Sequence, residues 1–308
     1  MMLTWFRRLA LIGATAFLAA CGGGNDAPTP LGWIKADSRF SLLAEALKAA
    51  RLEGAVDGST PVTVFAPTND AFVALLGELG TTKDALFANT TLLTQVLTYH
   101  VLSARVDRAS VPAGRAITTA QGGFFKIEAV GGGLVVTDGR NRRVNITQTD
   151  IDGGRGVIHV VDRVLLPANR NIVQTAQSLP DFSILVEAVV AAQLTDTLSG
   201  NGPFTVFAPT NAAFAALLSE LGLTKSQLLA NRTLLTQVLT YHVVPARVLR
   251  AEVPVGSPIA TVQGQTFTVG STLAITDQRG RTSNITATDV FTSNGVIHVV
   301  DRVILPRP

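Results

Sequence analysis

A single cysteine, Cys21, stands in 308 residues, so the chain lacks both the pair a disulfide needs and the cluster a thiolate metal site needs. Aromatic residues make up only 6%, with two Trp and two Tyr, and charged residues 15%. This scarcity does not describe a disordered chain, because hydrophobic residues reach 47% and Val, Leu and Ile recur throughout. A basic stripe is missing as well. The formal net charge of +3 falls to about +1 without Arg7 and Arg8, and no stretch interleaves aromatic with basic residues. Composition therefore gives no support to a nucleic-acid partner. The length suits two domains, each able to bury a core.

The N-terminus has the pattern of an export signal. Arg7 and Arg8 form a basic region, and the apolar run Leu9–Ala20 is short for a membrane span. It ends in "LAAC", which resembles a bacterial lipobox, cleaved before a cysteine that receives lipid; the alternative is an ordinary signal peptide with an incidental cysteine. Residues 1–20 are expected to be the signal peptide, with Cys21 as the lipidated residue. Residues 21–32 would then be a Gly/Pro-rich tether, its stretch to Pro30 reaching roughly 30 Å when extended. Gly22 stands where an acidic residue is associated with inner-membrane retention.

Beyond the tether the chain repeats itself. "TVFAPTNDAF" at 63–72 returns as "TVFAPTNAAF" at 205–214, and "NTTLLTQVLTYHVL" at 89–102 as "NRTLLTQVLTYHVV" at 231–244. "GVIHVVDRVLLP" at 156–167 returns as "GVIHVVDRVILP" at 295–306, and "DSRFSLLAEALKAARL" at 37–52 aligns with "LPDFSILVEAVVAAQL" at 179–194. The offset drops by three residues between Gln121/Gln263 and Asp138/Asp277, inside a region of hairpin signals. So long a period means a tandem of whole domains, 33–167 and 169–306, whose short join restricts the angle between them.

In the first copy, Leu42, Leu43, Ala46, Leu47 and Ala50 form a helical stripe, and residues 61–65 read as a strand stopped by Pro67. Thr68 or Asn69 is placed to cap the next helix. Residues 91–101 read as a helix, with Leu93, Val96, Leu97 and His100 on one face. From Ile117 onward, short strands alternate with turn signals, and "GVIHVVDRVLL" reads as a central strand.

The ordered blocks "TVFAPTNDAF", "YHV" and "GVIHVVDRVLLP", present twice, resemble the fasciclin (FAS1) domain. The resemblance implies an α+β fold, each domain a β-sandwich or wedge with helices packed along one side. It also implies an extracellular or surface-anchored protein associated with adhesion and with matrix or partner binding. Tyr99–His100 and Tyr241–His242 match the family's Tyr-His pair, implicated in adhesion. Asp150–Ile151 falls where some animal relatives carry an Asp-Ile pair implicated in integrin binding, and Asp289–Val290 is a partial match.

Read from the residues alone, those positions also have structural accounts. His100, His159, His242 and His298 lie in apolar runs and read as buried, hydrogen-bonded rings rather than metal ligands, which would need three or four groups converging. "QTDIDGGRG" at 148–156 reads as a turn whose aspartates support the backbone, since a calcium loop needs more alternating oxygens. Asn89, Asn145, Asn231 and Asn284 form Asn-X-Thr sequons with a local structural use. No Gly-X-Ser-X-Gly, Cys–His pair or phosphate-cradling loop is present. The expectation is a non-enzymatic, exported, lipid-anchored envelope protein without metal or cofactor. It would hold the membrane through Cys21 and bind a protein or polysaccharide. A hydrolase with its site at the inter-domain cleft and a small-ligand carrier are the alternatives.

Overall fold

The computed structural model describes residues 28–308 except Gly58, so Cys21 and the signal-peptide segment lie outside the described residues. The first copy has five α-helices: α1 (Pro30–Ala36), α2 (Ser41–Ala49), α3 (Asn69–Leu79), α4 (Lys83–Ala88) and α5 (Thr90–Tyr99). Its strands are β1 (Thr63–Pro67), β2 (Val101–Leu102), β3 (Ile117–Thr118), β4 (Phe124–Val130), β5 (Gly133–Thr137), β6 (Arg143–Gly153) and β7 (Gly156–Val161). The second copy repeats this plan with α6 (Ile172–Gln177), α7 (Ser183–Ala191), α8 (Thr195–Ser199), α9 (Asn211–Leu221), α10 (Lys225–Ala230) and α11 (Arg232–Tyr241). Its strands are β8 (Phe204–Pro209), β9 (Val243–Val244), β10 (Pro258–Ala260), β11 (Thr266–Val269), β12 (Ala274–Thr276), β13 (Thr282–Thr292) and β14 (Gly295–Val300).

Each copy forms one seven-stranded sheet, ordered β2-β1-β7-β6-β5-β4-β3 in the first and β9-β8-β14-β13-β12-β11-β10 in the second. The expected α+β wedge is therefore present twice. β7 runs parallel to β1 and antiparallel to β6, and all six of its residues are buried. A strand covered on both faces must be apolar on both, as the unbroken run in the sequence requires. Alternation then sorts β1: Val64 and Ala66 face a core shared with Phe40, Leu47, Phe72 and Leu93 of the helical layer. Phe65 instead joins Tyr99, Phe125, Ile127, Val136 and Val144 in a second core, enclosed by the curl of the sheet.

The helix ends obey their local chemistry. Thr68 caps α3 by accepting from the Ala71 N–H, and Gly80 closes the helix at φ 58°, where a side chain would be strained. Asn69 acts between helices instead. Its amide accepts from Leu42 N–H and donates to the Ser38 carbonyl and Ser41, tying α3 to α2. Asn211 repeats this with Ile184, Pro180 and Ser183. Of the sequon asparagines, Asn89 and Asn231 act locally and cap α5 and α11, whereas Asn145 and Asn284 donate to Asp162 and Asp301, 17 positions away.

Several boundaries differ from the sequence reading. The strand expected over 61–65 is Thr63–Pro67, and the closing strand stops at Val161 rather than continuing through Leu166. The tether is expected to run to residue 32, but α1 starts at Pro30, capped by Thr29, and its Ile34 is fully buried. His100 does not continue its helix; it is the C-cap residue after Tyr99. Residues 148–153 are not a turn. They belong to β6, with an irregular register against β7 between Gln148 and Ile151. Only the short connection to Gly156 turns. A methyl group at the equivalent Gly295 would lie 2.0 Å from the Phe204 carbonyl oxygen, so the parallel strand leaves no room there for a side chain.

Candidate functional site

The two Tyr-His pairs are interior. Tyr99 is 0% and His100 2% exposed, and Tyr241 and His242 have the same values. The Tyr99 hydroxyl donates to the Phe124 carbonyl, and that of Tyr241 to the Thr266 carbonyl at 2.8 Å. His100 Nδ1–H donates to the Val96 carbonyl at 2.7 Å, and Nε2 accepts the Leu165 N–H at 2.8 Å. His242 makes the same bonds to Val238 (2.7 Å) and Ile304 (3.1 Å). Each ring thus pins the segment after the central strand to the helix that precedes it, and each is held as the neutral Nδ1–H tautomer. Burial pulls both imidazoles down to about 4, despite the favourable bond to the helix carbonyl. Burial likewise raises the phenols, Tyr99 well above its ordinary value and Tyr241 to about 12.

The Asp-Ile and Asp-Val pairs sit on the strand bulges. Asp150 and Asp289 both adopt positive φ, 58° and 60°, a conformation Asp tolerates better than most residues. The other two histidines hold these bulges. His159 Nδ1 accepts from the Asp150 N–H at 3.3 Å while Nε2–H donates to the Val106 carbonyl at 2.9 Å. His298 does the same with Asp289 and Val248 at 3.2 and 2.9 Å. Each carboxylate then accepts a backbone N–H, Asp150 from Arg108 and Asp289 from Arg250, both at 2.7 Å. At this point the copies diverge. Asp150 and Asp152 are exposed, with Ile151 half-buried between them. Asp289 is only 6% exposed, because its second oxygen meets Lys126 of the first copy at 2.8 Å.

That ion pair belongs to a junction missed in the sequence. Phe124 packs against Phe291 with centroids 4.8 Å apart, and Leu249 and Val296 complete the cluster. The Arg247 guanidinium lies 4.2 Å over the Phe124 ring. The Asn141 side chain bonds both backbone groups of Phe291, and Glu252 accepts the Ala116 N–H. The available signal was inequality between aligned positions: Phe124, Lys126 and Asn141 stand against Thr266, Thr268 and Gly280, and Asp107 and Asp152 against Leu249 and Phe291.

Two clefts flank the junction. One, of about 590 Å³, is lined by loop glycines with Gln121, Asn171, Gln174, Asn201, Asn294 and Arg247, and holds no His, Cys, Asp or Glu. The other, of about 770 Å³, lies beside the Lys126–Asp289 pair. The second copy's helical layer has an apolar cavity of about 240 Å³, below the usual range for a small-molecule site, about 300–1,000 Å³. Among the described residues, no group of three His, Cys, Asp or Glu converges as a metal site would require, and no helix is long and apolar enough to cross a membrane.

The family described as Fasciclin domain matches residues 38–167 and 180–306. Transforming growth factor-beta-induced protein ig-h3 of Sus scrofa is 28% identical over 261 residues, which is 84% of this chain but 37% of the relative. The chain thus spans well under half the length of that protein. Protein sll1483 of Synechocystis is 44% identical over 150 residues, 48% of this chain and 79% of the relative. Among solved structures, a FAS1 domain pair from the insect cell adhesion molecule Fasciclin I aligns with a TM-score of 0.44 and 17% identity. That alignment covers 89% of this chain and 95% of the other.

Proposed function

The chain belongs to the fasciclin domain family, and from that premise we propose that it is a lipid-anchored cell-envelope protein that binds, and so adheres, through its two FAS1 domains. The observation that carries this reading is how the polar groups are spent. The four histidines, both tyrosines and Asp289 are buried and already bonded to backbone or to the neighbouring copy. A hydrolase needs a nucleophile and base that converge on an open site; the glycine-lined cleft has the hydroxyls of Ser199, Thr292 and Ser293 but no His, Asp or Glu beside them to act as base. What the molecule does present is a pair of domains joined through an apolar and ionic junction.

The anchor is supported by Arg7, Arg8, the apolar run to Ala20 and Cys21. Cys21→Ser should release the protein from membranes or leave it unprocessed, because the lipid supplies the main membrane affinity. Retention of this variant in the membrane fraction after a high-salt wash would sink the anchor. The binding reading is tested by cross-linking the full chain in intact cells and identifying what is captured. If no envelope protein or polysaccharide is enriched over a Phe291→Asp control, binding through the paired domains is refuted.

A further inference from the structure

The 770 Å³ cleft carries an excess of positive charge that the fold does not use. Its lining includes Lys126, Arg140, Arg143 and Arg170 against two carboxylates, Glu128 and Asp289, and both of those bind Lys126. Among the described residues, no carboxylate lies within salt-bridge reach of Arg140, Arg143 or Arg170.

Arg140 has an internal control in the second copy. There the aligned Arg279 donates its Nε–H to the Pro306 carbonyl at 2.9 Å, which fastens the turn to the end of the domain. In the first copy Arg140 Nε is shielded from solvent and has no partner among the described residues. The difference traces to the linker. Its path crosses the turn so closely that a methyl group on Gly139 would lie 2.3 Å from Ala168 N, and the second copy has Gln278 at that position. The chain that continues into the second domain thus leaves Arg140 without the carbonyl its counterpart uses, and Arg140 lines the cleft together with Arg143 and Arg170. Burial, with Arg142 and Arg170 nearby, also lowers its pKa from the usual guanidinium value, although Asp138 and Glu78 act the other way. An unpaired, crowded guanidinium with an orphaned donor is costly unless an anion completes it.

The rest of the lining suggests what carries that anion. Asn141, Asn169, Thr137, Thr175, Ser178 and Thr288 offer amides and hydroxyls around the arginines, and the one large aromatic there, Phe291, is buried in the junction. Protein partners are anchored chiefly by exposed aromatic groups; this cleft has none and offers only Leu179 and the half-buried Val290 as apolar contacts. We propose that the junction cleft is a binding site for an acidic polysaccharide, with Arg140, Arg143 and Arg170 receiving its carboxylate or sulfate groups. The proposal rests on the binding reading above and names its partner class.

The test uses the full chain in mild detergent with four probes: polygalacturonate, dextran sulfate, neutral dextran and polyglutamate. At least one of the two charged glycans should bind, more weakly as salt rises. The tighter of the two identifies the oxyanion, carboxylate or sulfate. Dextran and polyglutamate should bind at least tenfold more weakly. Arg143→Gln and Arg170→Gln, both at exposed positions, should each weaken glycan binding without changing the melting temperature. Adding Arg140→Gln should bring the total loss to about a hundredfold, which is about 2.8 kcal/mol in all. The proposal is overturned if neither charged glycan binds, if polyglutamate binds as tightly, or if Arg143→Gln and Arg170→Gln together leave glycan affinity unchanged. Failure here with envelope cross-linking intact removes the cleft assignment and leaves the adhesion reading standing.

Discussion

The same face of the FAS1 domain has two different lives in the two copies. In the first copy Arg105 reaches across it to Asp107, Asp152 and the carbonyls of Gly154 and Gly156, a polar arrangement open to solvent. In the second copy those two carboxylates are Leu249 and Phe291, and Arg247, the counterpart of Arg105, lies flat on Phe124 of the other domain. The bulge, the histidine beneath it and the bond from the aspartate to the next backbone N–H are common to both. A frame can therefore be kept while two or three side chains decide whether a face meets water or another domain. The first copy, with aspartates at these positions, is unsuited to meet another domain in the same way.

The sharpest way to break the comparison is to give the second copy the first copy's residue. Phe291→Asp places a carboxylate in the apolar cluster, beside the buried Asp289, and should cost about 4 kcal/mol or more of coupling between domains. Calorimetry should then show two separate transitions, and small-angle scattering a larger radius of gyration. A single unchanged transition would mean that the junction contributes nothing to stability.

Lys126→Thr, which copies Thr268, comes next. It leaves Asp289 buried with only its backbone bond, and loss of one partner of a buried pair costs about 3–5 kcal/mol. Asp289→Asn in the same chain should recover part of that loss, because the uncompensated charge is gone. A double-mutant cycle with no coupling between the two positions would show that the pair is idle.

The smallest effect should be the most symmetric. His100→Ala and His242→Ala each leave a buried carbonyl and a buried N–H without their partner, at roughly 1–3 kcal/mol. The two should lower the melting temperature of their own domains alike, and metal chelators should change neither. These rings also set a pH response. Their folded value of about 4 lies below the unfolded 6.5, so the unfolded chain binds more protons between the two. The stability they contribute is complete above about pH 6.5 and is lost as pH falls through about 4. Melting curves of the His100→Ala/His242→Ala double variant should be flatter over that window; an unchanged pH profile would assign the titration to other groups. A folded single variant that loses binding would move the Tyr-His pair from the frame to the functional surface.

Much of this was readable in advance because it is local. Thr68, Asn89 and Asn231 cap their helices and the apolar run from Gly156 is a central strand, since each depends on residues a few positions away or on strict periodicity. Repetition of the motifs extended that reading to a second domain and to the α+β class. Tertiary structure decided what depends on distant partners. α1 and α6 occupy equivalent places with no sequence in common, because a short capped helix that covers a strand can be written in many ways. Asp150 has the sequence surroundings of a turn residue, since a single-residue bulge inside a strand leaves no periodic trace. The junction joins Phe124 to Phe291 and Lys126 to Asp289 across more than 160 positions, and only the folded chain brings such residues within reach.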